Sequence, residues 1–317
     1  MKAAFLDYGT MGPGLDLKPL YDLFPDMTVY ESTTDDELIE RIAGVSFVFT
    51  NKMRFDDAVM SAAPDLKFIG LTATGTDNID LEMARKAGIA VANIRAYCTE
   101  SIVEHVFGVL LMLTHSLPAY DADTRGGDWQ RSTSPLMLTH PIEQLSEMTL
   151  GIVGYGALGK GVATMAQNFG MRVLVSARPS ADTCADDRTA FDEVLRAADV
   201  ISLHCPLNDT TRNLINADTL AQMKPRAILI NTARGGLVDS QALADALRAG
   251  HLWGAAIDVL PQEPPRDGDP LLDYEGDNLI VTPHIAWGTT RARQNAIDQL
   301  AANAVAFIAG EEKNRVA

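Results

Sequence analysis

Three polar residues stand just past the ends of short apolar runs: Arg234 after RAILINTA, Glu263 after AAIDVLPQ and His284 after LIVTP. Together they can move a proton at a carbonyl group. An imidazole has an unperturbed pKa of about 6.5, so it can give or take a proton near neutrality. A carboxylate beside it favours the imidazolium and fixes the ring. Glu263 is the better partner by chemistry, and its neighbour Gln262 is the alternative if the register is off by one. A guanidinium fork suits Arg234 to hold a substrate carboxylate and polarise the carbonyl next to it. The remaining histidines, His105, His115, His140, His204 and His251, lack this combination and are read as structural.

What the set does depends on what it stands beside. From Gly151 the chain reads GIVGYGALGKGVA, in which Gly154, Gly156 and Gly159 have the G-x-G-x-x-G spacing. The first glycine permits a tight turn, the second lets the backbone approach a pyrophosphate, and the third lets the helix pack close. Ala157 and Leu158 complete that turn, and the helix start offers unpaired N–H groups and a positive dipole end to phosphate. The turn follows a strand, opens a helix and leads to a second strand, the context a dinucleotide site requires. GTMGPG near the N-terminus has the wrong spacing, and Pro13 lacks an N–H, so it is read as a structural turn.

The second strand, in RVLVSARPS, ends at Ala177, where an acidic residue commonly holds the ribose hydroxyls of NAD. Ala177 neither accepts those bonds nor repels a 2′-phosphate, while Arg178 can pair with that phosphate and Ser176 can donate to it. NADP(H) is therefore expected to serve at least as well as NAD(H), with binding of NAD(H) through the remaining contacts as the other reading. A hydride carrier beside a proton donor and a carboxylate anchor suits reduction of a 2-oxo acid, whose ketone oxygen gains negative charge.

These residues need a scaffold of alternating strands and helices. KAAFLDY, MTVYES, SFVFTN, LKFIGLTA and IAVANI read as one strand series, with helical patterns between them such as TDDELIERIAG, capped by Thr34, and DDAVMSAAPD. A long helix is expected over residues 99–117, followed by a polar surface arm around Gly126, Gly127 and Trp129. A second series follows: TLGIVG, RVLV, ADVISLH, RAILINTA, LWGAAIDV and NLIVTPH. A last helix covers about residues 289–309. The rhythm predicts an α/β protein with parallel sheets covered on both faces. A Rossmann-type doubly wound domain (99–286) is inserted into a smaller flavodoxin-like domain built from both chain ends (1–98 and 287–317).

Composition narrows the classes further. At 317 residues the chain suits two domains. Its 26 basic and 42 acidic residues leave a formal charge of −16, against a nucleic-acid surface. Cys98, Cys184 and Cys205 are odd in number and widely spaced, which fits a reducing compartment and neither a metal site nor a disulfide framework. No apolar run is long enough for a membrane span, and the N-terminal stretch lacks the apolar length of a signal peptide. The expectation is a cytoplasmic protein with no nucleic-acid or membrane partner and no metal.

NTARGGLVD from Asn231, AAIDVLPQEPP from Ala255 and TPHIAWG from Thr282 resemble the three signatures of the D-isomer-specific 2-hydroxyacid dehydrogenases. With the glycine turn and LTATGTDNID from Leu71, the resemblance covers nearly the whole chain. It implies Arg234 as substrate anchor, His284 as acid/base and Glu263 as its partner. It implies further that the backbone amides of Thr74 and Gly75 bind the substrate carboxylate, and that Asp258 contacts the nicotinamide amide. Cys205 and Pro206 would line the ribose side of the cofactor, with Thr232 and Ala233 also in its site. Homodimers are usual in the family. TNK at residues 50–52, TATGTDNID, PPRDGDPLL and HIAWG look most like its glycerate dehydrogenase branch, which implies reduction of hydroxypyruvate and glyoxylate. Lys52 is either a second cation for a small acid or a solvated lysine; Trp287 either narrows the pocket or packs at a domain or subunit boundary. Other members, such as phosphoglycerate dehydrogenase, and a non-catalytic nucleotide-sensing corepressor are the alternatives.

Overall fold

The computed structural model describes residues 1–179, 185 and 187–317; Cys184 lies outside them. The chain divides into two units, one made of Met1–Cys98 with Gly288–Ala317 and the other of Thr99–Trp287. Trp287 thus falls with the second unit, where its indole N–H donates to the His284 carbonyl at 3.0 Å.

The first unit holds five parallel strands, β1 (Ala3–Phe5), β2 (Thr28–Val29), β3 (Phe47–Thr50), β4 (Phe68–Leu71) and β5 (Ala90–Ala92), in the order β2-β1-β3-β4-β5. That is the flavodoxin-like order. β1, β3, β4 and β5 are buried at every position, as expected where both faces of a parallel sheet are covered. One face packs Phe47 against Phe24 and Phe68, and Phe68 against Phe307 of the helix Thr290–Ile308, with ring centroids 4.7, 5.5 and 5.1 Å apart. On the opposite face Leu38 and Ile42 of the helix Asp35–Ile42 join Val48, Ile69 and Val91 in one apolar cluster. Thr34 caps that helix in a capping box with Glu37, and Thr289 caps the last helix through Ala292 N–H. The GTMGPG stretch is a structural turn, with Gly12 and Gly14 at positive φ and Arg293 donating to the carbonyls of Met11 and Pro13.

The described residues of the second unit form six parallel strands, β6 (Thr149–Val153), β7 (Arg172–Val175), β8 (Val200–Leu203), β9 (Ile228–Asn231), β10 (Gly254–Ile257) and β11 (Leu279–Val281). Their order is β11-β10-β9-β8-β6-β7. An isolated parallel bridge between Ser176 and Thr189 stands where a doubly wound sheet carries its outermost strand. Phe191, Val194, Leu220, Leu243 and Leu247, from three helices, share a core with Ile201, Leu203 and Leu229 of the sheet. The helix expected over residues 99–117 stops at Thr114, because Ser116 takes a left-handed conformation and Pro118 opens a new helix, Leu117–Arg125. The expected polar arm therefore contains two helices, the second being Asp128–Arg131. Among the described residues no single helix is long and apolar enough to cross a membrane. Among the same described residues, no group of three or more His, Cys, Asp or Glu side chains is placed to hold a metal.

Candidate active site

Because all six strands of the second unit run parallel, everything that follows a strand lies at one edge of the sheet. Gly154 follows β6, Ser176 follows β7, Cys205 follows β8, Thr232 to Arg234 follow β9, Asp258 follows β10 and His284 follows β11. Strand order reverses at β6, the place where such sheets take nucleotides.

The glycine turn meets the demands of a pyrophosphate. Gly154 has φ +98, and a Cβ there would lie 2.5 Å from the Cys205 backbone nitrogen, so the turn packs directly on the end of β8. A Cβ on Gly159 would lie 2.1 Å from the Gly154 carbonyl oxygen, so this glycine lets the helix close on the turn. At Gly156 an added Cβ would meet nothing within 4 Å, which leaves the backbone open on the side a phosphate approaches. Gly156 is the N-cap of the helix Ala157–Asn168, whose first N–H groups, including those of Ala157, Leu158 and Gly159, have no partner within the helix. The buried Thr232 hydroxyl at the end of β9 has no partner among the described residues, a further polar group available to a ligand. These residues fit a dinucleotide.

His284 and Glu263 meet as a pair. His284 Nδ1 lies 2.6 Å from Glu263 Oε2, while Glu263 Oε1 accepts from the Leu260 N–H at 3.0 Å. An ionised carboxylate only accepts, so Nδ1 carries the proton in this pair and Nε2 is the nitrogen left for other partners. Gln262 instead donates to Asp267 at 3.1 Å, which settles the register in favour of Glu263. His284 has φ +56, a conformation that costs of order 1–3 kcal/mol and persists only when its surroundings hold it. Asp258 holds it. The His284 N–H donates to the Asp258 carbonyl at 2.8 Å. The Asp258 carboxylate, 2% exposed, accepts from Thr282 Oγ1 at 2.5 Å and from the Ile285 and Ala286 N–H groups at 2.9 Å each. Thr282 Oγ1 is also 3.4 Å from His105 Nε2, so His105 touches the site from the helix Thr99–Thr114. The sequence gives no spacing signal for this contact; the packing of that helix on the sheet makes it.

Arg234 opens a turn that fully buried Asn231 ties down, its side chain donating to the Arg234 carbonyl at 2.9 Å and accepting from the Ala233 N–H at 3.0 Å. The Arg234 guanidinium donates to the Ala233 carbonyl at 2.8 Å. A Cβ on Gly235 would lie 2.0 Å from the Leu260 carbonyl carbon, so glycine lets the Arg234 turn pack on the loop that carries Glu263.

Beside the turn, His204 is half-buried, its Nε2 2.8 Å from Ser202 Oγ and its Nδ1 buried without a partner among the described residues. Burial pushes its pKa down to about 4, so it stays neutral. Burial raises the Cys205 thiol to about 11, which removes it as a nucleophile near neutrality. The expectation for Ser176 needs correction. The residue is 7% exposed and its hydroxyl donates to the Ala177 carbonyl at 2.7 Å, so it does not face a phosphate. Ala177 is half-buried and Arg178 exposed. Pro206 turns its carbonyl to the Thr211 hydroxyl at 2.8 Å.

In the first unit, adjacent β3 and β4 place Lys52 and Thr74–Gly75 at one carboxyl edge. Asp7, 4% exposed at the end of β1, accepts from the Lys52 N–H at 2.7 Å, the Asn51 N–H at 2.9 Å and the Thr50 hydroxyl at 3.0 Å. The sequence did not single it out, yet it shapes the loop that presents Lys52. Thr74 is tied by its hydroxyl to the Ile94 carbonyl at 2.9 Å and by its own carbonyl to Asn93 at 2.7 Å.

Residues 107–286 match the family described as D-isomer specific 2-hydroxyacid dehydrogenase, NAD binding domain. The chain is 45% identical to a glycerate dehydrogenase of Methylorubrum extorquens, over 90% of each chain. It is 34% identical to a hydroxypyruvate reductase of Blautia hydrogenotrophica, over 100% of this chain and 99% of the other. A solved Thermus thermophilus structure aligns over 100% of both chains with a TM-score of 0.87 and 34% identity. The chain belongs to the D-isomer specific 2-hydroxyacid dehydrogenases, NAD-binding oxidoreductases with parallel-sheet α/β domains.

Proposed function

We propose that the protein reduces hydroxypyruvate to D-glycerate, and glyoxylate to glycolate, using NADPH at least as well as NADH. The observation that carries this reading is the 2.6 Å pair of His284 Nδ1 and Glu263 Oε2, which leaves Nε2 as the proton donor. The Gly154–Gly159 turn would hold a dinucleotide, which when bound would supply a hydride equivalent. His284 Nε2 gives its proton to the ketone oxygen as negative charge develops there, and the Glu263 carboxylate holds the ring and stands beside the positive charge of the imidazolium. Arg234 grips the substrate carboxylate and polarises the ketone. The Thr74 and Gly75 amides and the Lys52 ammonium bind the same small acid, and Asp258 keeps the His284 turn in place while contacting the nicotinamide amide. Cys205, Pro206, Thr232 and Ala233 line the cofactor.

NADPH use rests on the missing acid at Ala177 and on the cations around that strand end. The protein is proposed to be a cytoplasmic homodimer; Trp129, Leu136 and Leu138, 53%, 74% and 81% exposed on the arm of the second unit, are apolar surface that a second copy would cover. The test is steady-state reduction of hydroxypyruvate and glyoxylate with each cofactor, in wild type and His284→Ala. The variant should lose about 100-fold or more in kcat, the usual size of a general-acid contribution. Absence of turnover in the wild type would sink the reading, and a monomer in light scattering would sink the dimer.

A further inference from the structure

The return of the chain beside β7 brings a cation to the glycine turn that the sequence does not advertise. Ser176 and Thr189 form a parallel bridge, and two backbone bonds secure it: Ala177 N–H to the Thr189 carbonyl at 2.7 Å and Thr189 N–H to the Val175 carbonyl at 2.8 Å. Arg188 is therefore anchored beside Val175, at the end of β7 and two residues before Ala177. Its guanidinium carbon lies over the Tyr155 ring, 4.8 Å from the centroid, and Lys160 Nζ lies 5.8 Å from the same centroid. Tyr155 is the residue between Gly154 and Gly156. Two cations, one from the helix Ala157–Asn168 and one from the returning segment, thus converge on the aromatic side chain of the phosphate turn. The Asp187 carboxylate, 73% exposed, meets Arg188 Nε at 3.4 Å, and a pair with one partner so exposed is weak.

A pyrophosphate is served by the helix N-terminus and needs neither cation. An anion on the ribose at the end of β7 is the group that a cation held there would serve. We propose that Arg188, with Lys160 across the Tyr155 ring, binds the 2′-phosphate of NADP, and that Arg188 rather than Arg178 sets the affinity for it. The proposal rests on the NADPH reading above. Arg188 is placed in advance by its ring contact and its bridge, whereas Arg178 is exposed and makes no such contact among the described residues. A cation held in place loses less freedom on binding than a solvated one, and the aromatic face keeps the guanidinium fork open to phosphate.

The experiment is calorimetric titration of the intact protein with adenosine 2′,5′-bisphosphate and with 5′-AMP, which differ only in the 2′-phosphate. Wild type should bind the bisphosphate about 10-fold tighter or more, as a charge-assisted contact worth about 1.4 kcal/mol gives. Arg188→Ala should abolish that preference and leave 5′-AMP binding unchanged, while Arg178→Ala should alter neither ligand by more than about twofold. Loss of the preference in Arg178→Ala alone would overturn the assignment of Arg188 and leave NADPH use standing. Equal loss of both ligands in Arg188→Ala would make Arg188 a support of the turn and overturn its phosphate role. Equal binding of both ligands by wild type would overturn the NADPH reading and the proposal with it.

Discussion

Acid should weaken the second unit through a single histidine. The His204 ring stands beside the glycine turn with its buried Nδ1 unpartnered among the described residues, and burial of the ring lowers its pKa from 6.5 to about 4. In the unfolded chain it titrates at its ordinary value. As pH falls below about 6.5 the unfolded state takes up a proton that the folded state refuses until about pH 4, so stability is present above that window and lost on descending through it. The whole window amounts to about 3 kcal/mol, at 1.36 kcal/mol per pH unit, and about 2 kcal/mol of it is lost between pH 7 and pH 5. His204→Gln keeps a polar group near Ser202 but does not titrate. Urea unfolding followed by tryptophan fluorescence reads the relevant unit, since Trp129, Trp253 and Trp287 all lie in Thr99–Trp287. The stability of wild type relative to His204→Gln should fall by about 2 kcal/mol between pH 7 and pH 5. A difference that stays constant across that range would refute the reasoning.

Further substitutions at Gly156, Gly159 and Thr282 probe the turn and the His284 loop. Gly159→Ala forces a methyl group against the Gly154 carbonyl and should lower stability by about 1–3 kcal/mol, seen as a reduced Tm; Gly156→Ala meets open space, so it should keep its Tm and bind ADP-ribose more weakly in titration. The reverse pattern would mean the turn is misassigned. Thr282→Val removes the 2.5 Å bond to Asp258, a charge-assisted contact worth about 1.5–3 kcal/mol, and should cut kcat about 10-fold with KM little changed, while Thr282→Ser restores it. Unchanged kcat in Thr282→Val would show that Asp258 orders the loop without that hydroxyl.

Much of the molecule is legible in the chain. Each of the eleven strand runs is a short β-branched or apolar stretch between turn residues, and period and length identify such stretches without any tertiary information. The glycine spacing is equally local, because positive φ and the absence of a side chain belong to the residue itself. Arg234, Glu263 and His284 could be chosen because a parallel sheet collects whatever follows its strands at one edge, so connectivity alone implied their neighbourhood. The arm was harder to read. Its helices Leu117–Arg125 and Asp128–Arg131 bury no residue, so they carry no apolar stripe to find.

What the tertiary structure decided is how each group is directed and which neighbour it meets. Ser176 looked available to a phosphate and is turned onto the Ala177 carbonyl. Asp258 is committed to three donors of the His284 turn, and Asp7 to the loop before Lys52. Arg188 reaches Tyr155 although a whole helix and strand separate them in sequence, because the Ser176–Thr189 bridge folds the chain back beside β7. Strand periodicity and glycine placement depend on backbone sterics that each residue carries with it. The partner of a hydrogen bond, or the burial that silences His204, depends on which distant segment fills the space, and only close packing determines that.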